Sequence, residues 1–419
     1  MRPVSLEKIN ASVPVLILKL YHYSSLGIAR TLGRLGVSVN GVNKDRHSPT
    51  AHSRYCRRVF EWDVDEAPEQ ETVKFLLDIA HQIGGRPMLL TTDDGNNGIV
   101  ARYEKALREA YLFPNMPGEL TLELYSKKGM YYLAKQHDIP TAETLFPESM
   151  REVREFSANA TFPVMLKPVD SRKLQRRTGV RLRLVHSAAE LIEQYEKMED
   201  FSDPNLMLQE YIPGGDDSVW MFNGYFNEQS DCLAAFTGQK IRQHPPYGGM
   251  TSLGICVKNE AVEKMTCAWL KKLGYRGIVD MGYRYDARDG KYKLLDVNPR
   301  IGATFRLFVD SNGLDVVRAM YLDLTGQPVP DQAGYEGRRW IVEDKDLMSL
   351  RRYLRDGQTS LGEWFRSLGG VQEGAWFAGD DPYPFAVMCG GFVRTAFTWF
   401  GKALTRSSAE NAAHTQSAE

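Results

Sequence analysis

Short apolar runs alternate with amphipathic stretches along the first 120 residues of the chain. Residues 13–18 and 37–42 are apolar runs, and between them residues 24–35 place apolar side chains at helical spacing behind a pair of serines. The runs predict buried strands, and the serines predict a helix N-cap. Strand, helix and strand in succession predict a Rossmann-like domain with a parallel sheet. Its first turn, at residues 19–27, lacks the Gly-x-Gly-x-x-Gly spacing, so dinucleotide binding is not expected.

From residue 121 onward the pattern changes to short strands mixed with helices, as in an α+β fold. Alternating polarity on either side of the turn dipeptide Asp289-Gly290 predicts an antiparallel hairpin, with strands at 278–285 and 291–297. The remaining elements are predicted as helices at 126–137, 147–158, 188–198, 261–273 and 314–324, and strands at 163–167, 180–185, 218–225, 232–237 and 251–257. We assign these elements to two subdomains, followed by a C-terminal extension, with bounds at 121–213, 214–330 and 331–419.

Oxygen-bearing side chains are concentrated on the predicted hairpin. Asp280 lies on its outgoing strand, and Asp296 and Asn298 lie two residues apart on its returning strand, so both point to one face. Carboxylate and amide oxygens are the ligands that Mg²⁺ prefers in proteins. The alternative is that Asp296 and Asn298 merely end a strand before Pro299, and the hairpin alone does not exclude it.

Two further strand ends carry polar side chains that suit a nucleotide. Lys167 follows one apolar run, where its ammonium can reach phosphate oxygens, and Glu210 follows another, where a hinge can take adenine and ribose. Together with these residues, Asp-Val-Asn-Pro-Arg at 296–300 resembles the ATP-grasp superfamily of carboxylate–amine ligases, and most of all its D-aspartate ligase-like branch. The resemblance covers roughly residues 13–328. It implies an ATP-grasp fold, with an N-terminal pre-ATP-grasp domain and two α+β subdomains that enclose ATP.

The resemblance also implies a role for each matching residue. Arg300 would be catalytic and would steady phosphoryl or carboxylate oxygens. Mg²⁺ or Mn²⁺ would be held by Asp280, Asp296 and Asn298. The nucleotide would be bound by Lys127, Lys167, Gln209, Glu210, Tyr211, Ile212 and Asp217.

The chain departs from this family in the loop that follows Lys167. Family members often carry a glycine-rich loop there, whereas residues 170–179 contain one glycine and four basic side chains, among them Arg176 and Arg177. Guanidinium groups can clamp phosphates in place of backbone amides, so Arg176 and Arg177 are predicted to bind the nucleotide. The alternative is a solvated basic loop.

Residues 237–252 are predicted to form a loop between two strands. The segment carries Lys240, Arg242 and a pair of glycines, which suits recognition of a substrate carboxylate or an ATP phosphate. The glycines would let the loop close over the site and exclude water. Lys240 and Arg242 are therefore predicted catalytic residues, against the alternative of a solvated loop, and His244 is predicted to be structural.

A polar cluster follows a predicted parallel strand in the N-terminal domain. Asp93, Asp94 and Asn97 lie at the carboxyl end of that strand, where open α/β sheets bind ligands. We predict that they hold the amine of a substrate. The alternative is a capped turn into a helix at 98–110.

Composition excludes several other classes of protein. Hydrophobic residues at 43% and charged residues at 25% are normal for a globular chain, and a net charge of −1 gives no reason to expect nucleic-acid binding. The five cysteines form no Cys-x-x-Cys pair, which argues against a zinc site or a disulfide framework and fits the cytoplasm. No signal peptide is expected at the start of the chain. The histidines, His22 among them, offer no pair at metal-ligand spacing and are predicted to lie on the surface or in satisfied contacts.

An apolar and aromatic segment at residues 385–405 stands apart from the rest of the C-terminal extension. Arg394 and Lys402 interrupt it, and its uncharged stretches are too short to span a bilayer. Contact with the inner face of the membrane, docking on a partner protein and covering of the chain's own core all stay open, as does a homodimer. Residues 407–419 are polar and predicted to be disordered.

The sequence thus predicts an ATP- and Mg²⁺-dependent ligase. It would activate a carboxylate as an acyl phosphate and join it to an amine, with substrates of amino-acid or amino-sugar type, releasing ADP and phosphate. The alternative is a non-catalytic ATP-binding sensor or scaffold of the same fold, attached to an assembly through its C-terminal segment.

Overall fold

The computed structural model describes residues 9–170, 174, 177–178 and 182–391. Arg176 and most of the predicted basic loop therefore lie outside the described residues. The same holds for residues 392–405 of the apolar C-terminal segment.

The N-terminal domain is a parallel four-stranded sheet with helices on its faces, as predicted. Its strands run in the order β3-β2-β1-β4 and are β1 (Val15–Leu18), β2 (Val39–Asn43), β3 (Cys56–Glu61) and β4 (Met88–Thr91). Its helices are α1 (Tyr23–Gly33), α2 (Glu69–Ile83), α3 (Asp94–Arg102) and α4 (Glu104–Ala110). The predicted serine cap was wrong, because His22 caps α1. The single helix predicted at 98–110 is two helices, the first of which begins at Asp94.

The first subdomain is a small antiparallel sheet packed against helices. Its strands run in the order β5-β8-β6-β7 and are β5 (Thr144–Leu145), β6 (Val164–Pro168), β7 (Arg183–Val185) and β8 (Leu206–Glu210). The helices of this region are α5 (Gly118–Tyr125), α6 (Lys127–Gln136), α7 (Met150–Asn159) and α8 (Ala188–Met198). Leu166, Leu191 and Leu208 belong to a buried hydrophobic cluster within this subdomain. The first subdomain therefore has a hydrophobic core of its own.

A seven-stranded sheet forms the second subdomain and contains the predicted hairpin. Its strands, in the order β13-β12-β9-β10-β11-β14-β15, are β9 (Val219–Phe226), β10 (Cys232–His244), β11 (Met250–Cys256), β12 (Gly277–Asp286), β13 (Lys291–Asn298), β14 (Arg339–Ile341) and β15 (Val371–Gly374). The helices are α9 (Glu260–Lys272), α10 (Val316–Leu324), α11 (Glu343–Arg355) and α12 (Leu361–Ser367). The antiparallel pairing of β12 with β13 confirms the hairpin. β14 and β15 come from beyond residue 330, so the extension shares this sheet.

The loop predicted at 237–252 is wrong, because β10 continues to His244 and pairs with β11 along this segment. The register shifts between Lys240 and Arg242, so that Lys240 lies opposite Gly254 and Arg242 lies opposite Leu253. Neighbouring residues of a strand point to opposite faces of the sheet. The bulge therefore turns Lys240 and Arg242, which are two residues apart, to opposite faces.

Buried polar contacts fix the extension to the N-terminal domain. Arg30 of α1 pairs with Asp381 at 3.0 Å and donates to the main-chain oxygen of Trp376 at 2.7 Å. Both charged side chains are almost fully buried. The extension is thus held on the start of the chain as well as on β11. Across the part of the chain that the structure describes, no helix is long and apolar enough to cross a bilayer.

Candidate active site

The hairpin places two carboxylates and an amide side by side. Asp280 lies opposite Asn298, and Gly282 lies opposite Asp296. The Asn298 amide nitrogen donates to Asp296 Oδ2 at 2.9 Å and to the main-chain oxygen of Asp280 at 3.2 Å. A Cβ at Gly282 would overlap the Asp296 carboxylate, and one at Gly302 would overlap Asp280. The two glycines therefore make room for the two carboxylates.

The environment of Asp280 fits a hard divalent cation. Burial raises the pKa of Asp280 to about 6, with Arg300 lowering it and the Asp296 carboxylate raising it. The nearest neutral donor is the Asn223 amide nitrogen, 3.5 Å from Asp280 Oδ1. The buried Asn223 Oδ1 has no hydrogen-bond partner among the described residues. Mg²⁺ prefers oxygen ligands of the kind present here: the two carboxylates, the Asn298 amide oxygen and the unpaired Asn223 Oδ1.

Three partly buried lysines lie near Asp296, and they come from both subdomains. Lys127 begins α6, Lys167 lies on β6, and Lys240 lies on β10. Burial lowers the pKa of each lysine, that of Lys127 to about 8, while Asp296 raises the pKa of all three. The two subdomains thus converge on one cleft with the hairpin at its base.

These lysines donate to neutral oxygens. Lys167 Nζ donates to Gln209 Oε1 at 3.0 Å, and Lys240 Nζ donates to the main-chain oxygen of Gly249 at 3.0 Å. Lys127 Nζ donates to the main-chain oxygen of Pro168. Within the described ranges, none of the three forms an ion pair with a carboxylate at 4.0 Å or less. A partly desolvated ammonium without a carboxylate partner is suited to bind an anionic ligand.

Glu210 links the first subdomain to the turn of the hairpin. Its carboxylate accepts from Arg288 Nη2 at 2.5 Å, from Lys293 Nζ at 3.5 Å and from the main-chain nitrogen of Glu143 at 3.3 Å. The predicted nucleotide hinge is therefore in contact with the second subdomain through charged groups.

The other predicted hinge residues differ in their surroundings. Ile212 is buried, and Tyr211 lies 5.9 Å from the Arg284 guanidinium, measured from that group to the ring centre. Asp217 lies on an exposed turn, where its main-chain oxygen accepts from Gln239 at 2.8 Å. Within the described residues, the Asp217 side chain forms no hydrogen bond or ion pair with a residue of the cleft.

Arg177, the described member of the predicted arginine pair, is engaged within the first subdomain. It lies 3.4 Å from the carboxylate of Glu199 and 3.7 Å from that of Asp200, and it also donates to the main-chain oxygen of Met198. These contacts tie Arg177 to the end of α8.

The N-terminal domain meets the end of the hairpin through Arg300. Arg300 Nε donates to Asp94 Oδ1 at 2.7 Å, and its Nη2 donates to Asn298 Oδ1 at 3.3 Å. Burial lowers the pKa of Arg300, but the carboxylates of Asp94, Asp280 and Asp93 together outweigh that effect, so its pKa is raised. The Asn97 amide donates to the main-chain oxygen of Pro299 at 2.9 Å. Two of the three residues predicted to hold the amine thus lie beside the end of β13.

Asp93, the third of these residues, caps α3. Its carboxylate accepts from the main-chain nitrogen of Asn96 at 3.1 Å. Asp93 therefore fits the alternative of a capped turn into a helix, whereas its neighbour Asp94 contacts Arg300 at the cleft.

Arg242 is not brought into the cleft. Its guanidinium forms two 2.8 Å hydrogen bonds with the carboxylate of Asp346 on α11, and Nη1 donates to Ser367 Oγ at 2.7 Å. The Arg242 and Asp346 side chains are 6% and 0% exposed. The bulge beside Lys240 turns Arg242 toward the extension, where Nε, Nη1 and Nη2 of its guanidinium group each donate a hydrogen bond.

His22 also lies near this edge of the N-terminal sheet. It follows β1, and β1 lies beside β4 in a parallel pair, so His22 and Asp93 follow strands that end at the same edge. Burial, with a further contribution from the charge of Arg300, lowers the pKa of His22 to about 4. Its Nδ1 accepts from the main-chain nitrogen of Ser24 at 3.3 Å, which agrees with the prediction of a satisfied polar contact.

The chain is similar in sequence to one curated enzyme and in fold to several solved structures. No protein-family model matches the chain. A D-aspartate ligase of Enterococcus faecium (strain Aus0004) is 26% identical over 241 residues, which are 55% of this chain and 57% of that enzyme. The ADP complex of N5-carboxyaminoimidazole ribonucleotide synthetase is similar with a TM-score of 0.62 and 12% identity, covering 85% of this chain and 87% of the other. An L-amino acid ligase from Bacillus licheniformis is similar with a TM-score of 0.56 and 15% identity, covering 75% of each chain.

These similarities confirm two predictions made from the sequence. The chain has the ATP-grasp fold, and its resemblance to ATP-grasp carboxylate–amine ligases, including the D-aspartate ligase-like branch, is confirmed. The match spans a little over half the length of the curated relative.

Proposed function

We propose that this chain of ATP-grasp fold is a ligase that uses ATP and Mg²⁺ to join a carboxylate to an amine. The carboxylate would be activated as an acyl phosphate, and the products would be an amide, ADP and phosphate. The name of the curated relative, D-aspartate ligase, supports an amino acid as one substrate.

The observation that carries this proposal is the set of lysines around Asp296. Lys127 and Lys167 belong to the first subdomain and Lys240 to the second, and each is partly buried and donates to neutral oxygens. Three partly desolvated cations without paired carboxylates favour an anionic ligand, and a polyphosphate would supply the missing negative charge. A cleft of this kind supports phosphoryl transfer, in which positioning and electrostatic stabilisation provide most of the acceleration.

The hairpin residues Asp280, Asp296 and Asn298 would hold one or two Mg²⁺ ions. A bound Mg²⁺ supplies neutralisation of the charge on the transferring phosphoryl group. Asn298 Oδ1 also accepts from Arg300, so the proposed metal site and the substrate side of the cleft share one residue.

In the first step an oxygen of the substrate carboxylate would attack the γ-phosphorus, and the bond to the bridging oxygen of ADP would break. The three lysines would neutralise the equatorial and leaving oxygens, and Arg300 would steady the attacking carboxylate. In the second step the amine nitrogen would attack the acyl carbon, lose a proton and displace phosphate. Asp94, which lies 2.7 Å from Arg300, would hold that amine.

The test is ADP release from purified protein supplied with pairs of acids and amines, including amino acids and amino sugars. We expect ADP release that depends on both substrates. Its rate should fall at least about 10²-fold in Asp296→Asn, because a proposed Mg²⁺ ligand is lost and the charge on the transferring phosphoryl group is then less well stabilised. The matched control is Asp331→Asn, since Asp331 is an exposed carboxylate remote from the hairpin. ATP binding with no ADP release from any pair would instead favour the non-catalytic scaffold.

A further inference from the structure

Five large apolar side chains of the C-terminal extension are exposed to solvent over more than half of their surface. They are Leu347 and Met348 of α11, Leu361 and Phe365 of α12, and Phe377, which follows β15. We refer to these five side chains as the outer patch. Single exposed apolar residues are ordinary on a protein surface, whereas a contiguous group marks a site of interaction.

Hydrogen bonds of adjoining residues bring the parts of the outer patch together. The Trp364 indole nitrogen donates to Asp346 Oδ2 at 2.8 Å, which joins α12 to α11. The main-chain nitrogen of Phe377 donates to Glu343 Oε1 at 2.8 Å, at the start of α11. Leu347 lies one residue after Asp346 and one turn after Glu343. The two contacts are thus made beside Leu347, and the patch is contiguous.

The α12 helix presents its apolar side chains outward. All seven of its residues are exposed or half-buried, and Leu361 and Phe365, four positions apart, lie on one face. Ser360 and Glu363 form a capping box that fixes the start of the helix. The capping box and the bond from Trp364 therefore hold α12 in place while its apolar pair faces solvent.

The charged side chains around the outer patch are mostly basic. Arg351, Arg352 and Arg355 are exposed on α11, and Arg366 is exposed on α12. Arg352 and Arg355 share one carboxylate, that of Asp356, at 2.5 Å and 3.4 Å. Among the described residues, Arg351 and Arg366 form no ion pair. Apolar side chains are thus combined with an excess of positive charge.

The arginines and the apolar side chains share a face of α11. Leu347, Arg351 and Arg355 follow one another at intervals of four residues, so they line one side of the helix. A surface of this composition suits the boundary of a lipid bilayer, where apolar side chains enter the acyl region and cations meet acidic headgroups.

The charge of the residues that follow argues against their covering the outer patch. Residues 382–409 contain three basic side chains and no acidic one. Placing them on the patch would bring cations of like sign together, which is unfavourable. An anionic surface is complementary to both, so the charges favour a membrane over the chain's own segment.

We propose that the outer patch is a membrane-binding surface, through which the extension lies on a bilayer that contains anionic phospholipids. The five apolar side chains would enter the boundary between headgroups and acyl chains, and the arginines of α11 and α12 would contact lipid phosphates. The contact is independent of the proposed ligase reaction, and it makes the extension a means of localising the protein.

The test is sedimentation of the full-length protein with two kinds of vesicle, phosphatidylcholine alone and an equimolar mixture of phosphatidylcholine and phosphatidylglycerol. We expect the mixed vesicles to be bound at least about tenfold more tightly, and added salt to weaken that binding. Replacing both apolar residues of α12, by Leu361→Ser and Phe365→Ser, should weaken binding to mixed vesicles at least about tenfold. Replacing two arginines of α11, by Arg351→Gln and Arg355→Gln, should remove most of the preference for mixed vesicles.

Matched controls change exposed residues of the first subdomain. Phe201→Ser and Arg151→Gln should bind vesicles like the wild type. All variants should keep the wild-type melting temperature, because the replaced side chains are exposed. Wild-type protein that does not bind the mixed vesicles overturns the proposal, as does equal binding to neutral vesicles. Unchanged binding in the variant with both α12 replacements also overturns it, because another part of the chain would then hold the membrane.

Discussion

The cleft between the two subdomains and the seam beneath the C-terminal extension differ in how their cations are paired: the partly buried lysines of the cleft lack a carboxylate partner within the described residues, whereas the buried arginines of the seam have one. In the cleft, Lys167 and Lys240 donate to an amide oxygen and a main-chain oxygen. In the seam, Arg242 is paired through two hydrogen bonds with Asp346, and Arg30 is paired with Asp381. Lys240 and Arg242 are only two residues apart on one strand, so a single bulge separates the two environments.

The difference shows what each region is for. A buried cation that already has its carboxylate contributes to the unique packing of a fold, and removing one partner leaves the other charge stranded. A buried cation that lacks a carboxylate has a depressed pKa and gains most from an anionic ligand. For Lys240 and Arg242, which are near neighbours in sequence, the state of pairing therefore favours a binding role for the lysine and a structural role for the arginine.

The largest effect should come from breaking a pair in the seam. Arg242→Met leaves Asp346 buried without its counter-charge and should lower the free energy of unfolding by about 3–5 kcal/mol. Urea unfolding followed by circular dichroism measures this loss. Arg351→Met is the control, because Arg351 is exposed on α11. Full stability of the Arg242 variant combined with lost activity would return Arg242 to the catalytic site.

Lys240→Met sharpens the comparison from the other side. We expect kcat/KM to fall by about 10²–10³-fold, since a donor aimed at developing charge is removed. Stability should be unchanged or higher, because an unpaired buried cation is replaced by an apolar side chain of similar length. Steady-state ADP release and a melting curve measure the two quantities, with exposed Lys272→Met as the control. A large drop in melting temperature would contradict the assignment of Lys240 to the cleft.

The smallest effect is a proton taken up on nucleotide binding. Burial lowers the pKa of Lys127 to about 8, below its ordinary value, so this amine is largely neutral at pH 9 in the free protein. Phosphate oxygens favour the charged form and raise the pKa again, so binding at pH 9 should take up close to one proton, whereas binding at pH 6.5 should take up none from this group.

Calorimetric titrations in two buffers of different ionisation enthalpy measure this proton. Lys127→Arg keeps the charge at both pH values and should abolish the uptake. Equal uptake in the variant and the wild type would assign the proton to another group.

Local signals in the sequence were enough to predict the hairpin. The Asp289-Gly290 turn fixed its position, and the spacing of Asp296 and Asn298 put both on one face, as the pairing of β12 with β13 confirms. The alternation of strands and helices likewise predicted the N-terminal parallel sheet. These features depend on neighbours in the chain, which a sequence displays directly.

Features that depend on distant contacts were not predictable in the same way. The bulge that separates Lys240 from Arg242 depends on the register with β11, and the addition of β14 to that strand joins residues about ninety positions apart. The position of His22 beside the Asp93 turn likewise depends on the pairing of β1 with β4. Each of these follows from strand pairing and not from local composition.

The most direct test of the account is a titration of the protein with a non-hydrolysable ATP analogue and Mg²⁺. We expect the protein to bind the analogue saturably. The binding should weaken at least about tenfold in Lys167→Met and also in Lys240→Met, because lysines of both subdomains would hold one nucleotide. Binding by Lys272→Met should match that of the wild type. Absence of any heat at saturating analogue, or weakening by only one of the two cleft lysines, would contradict the claim that both subdomains enclose a single nucleotide.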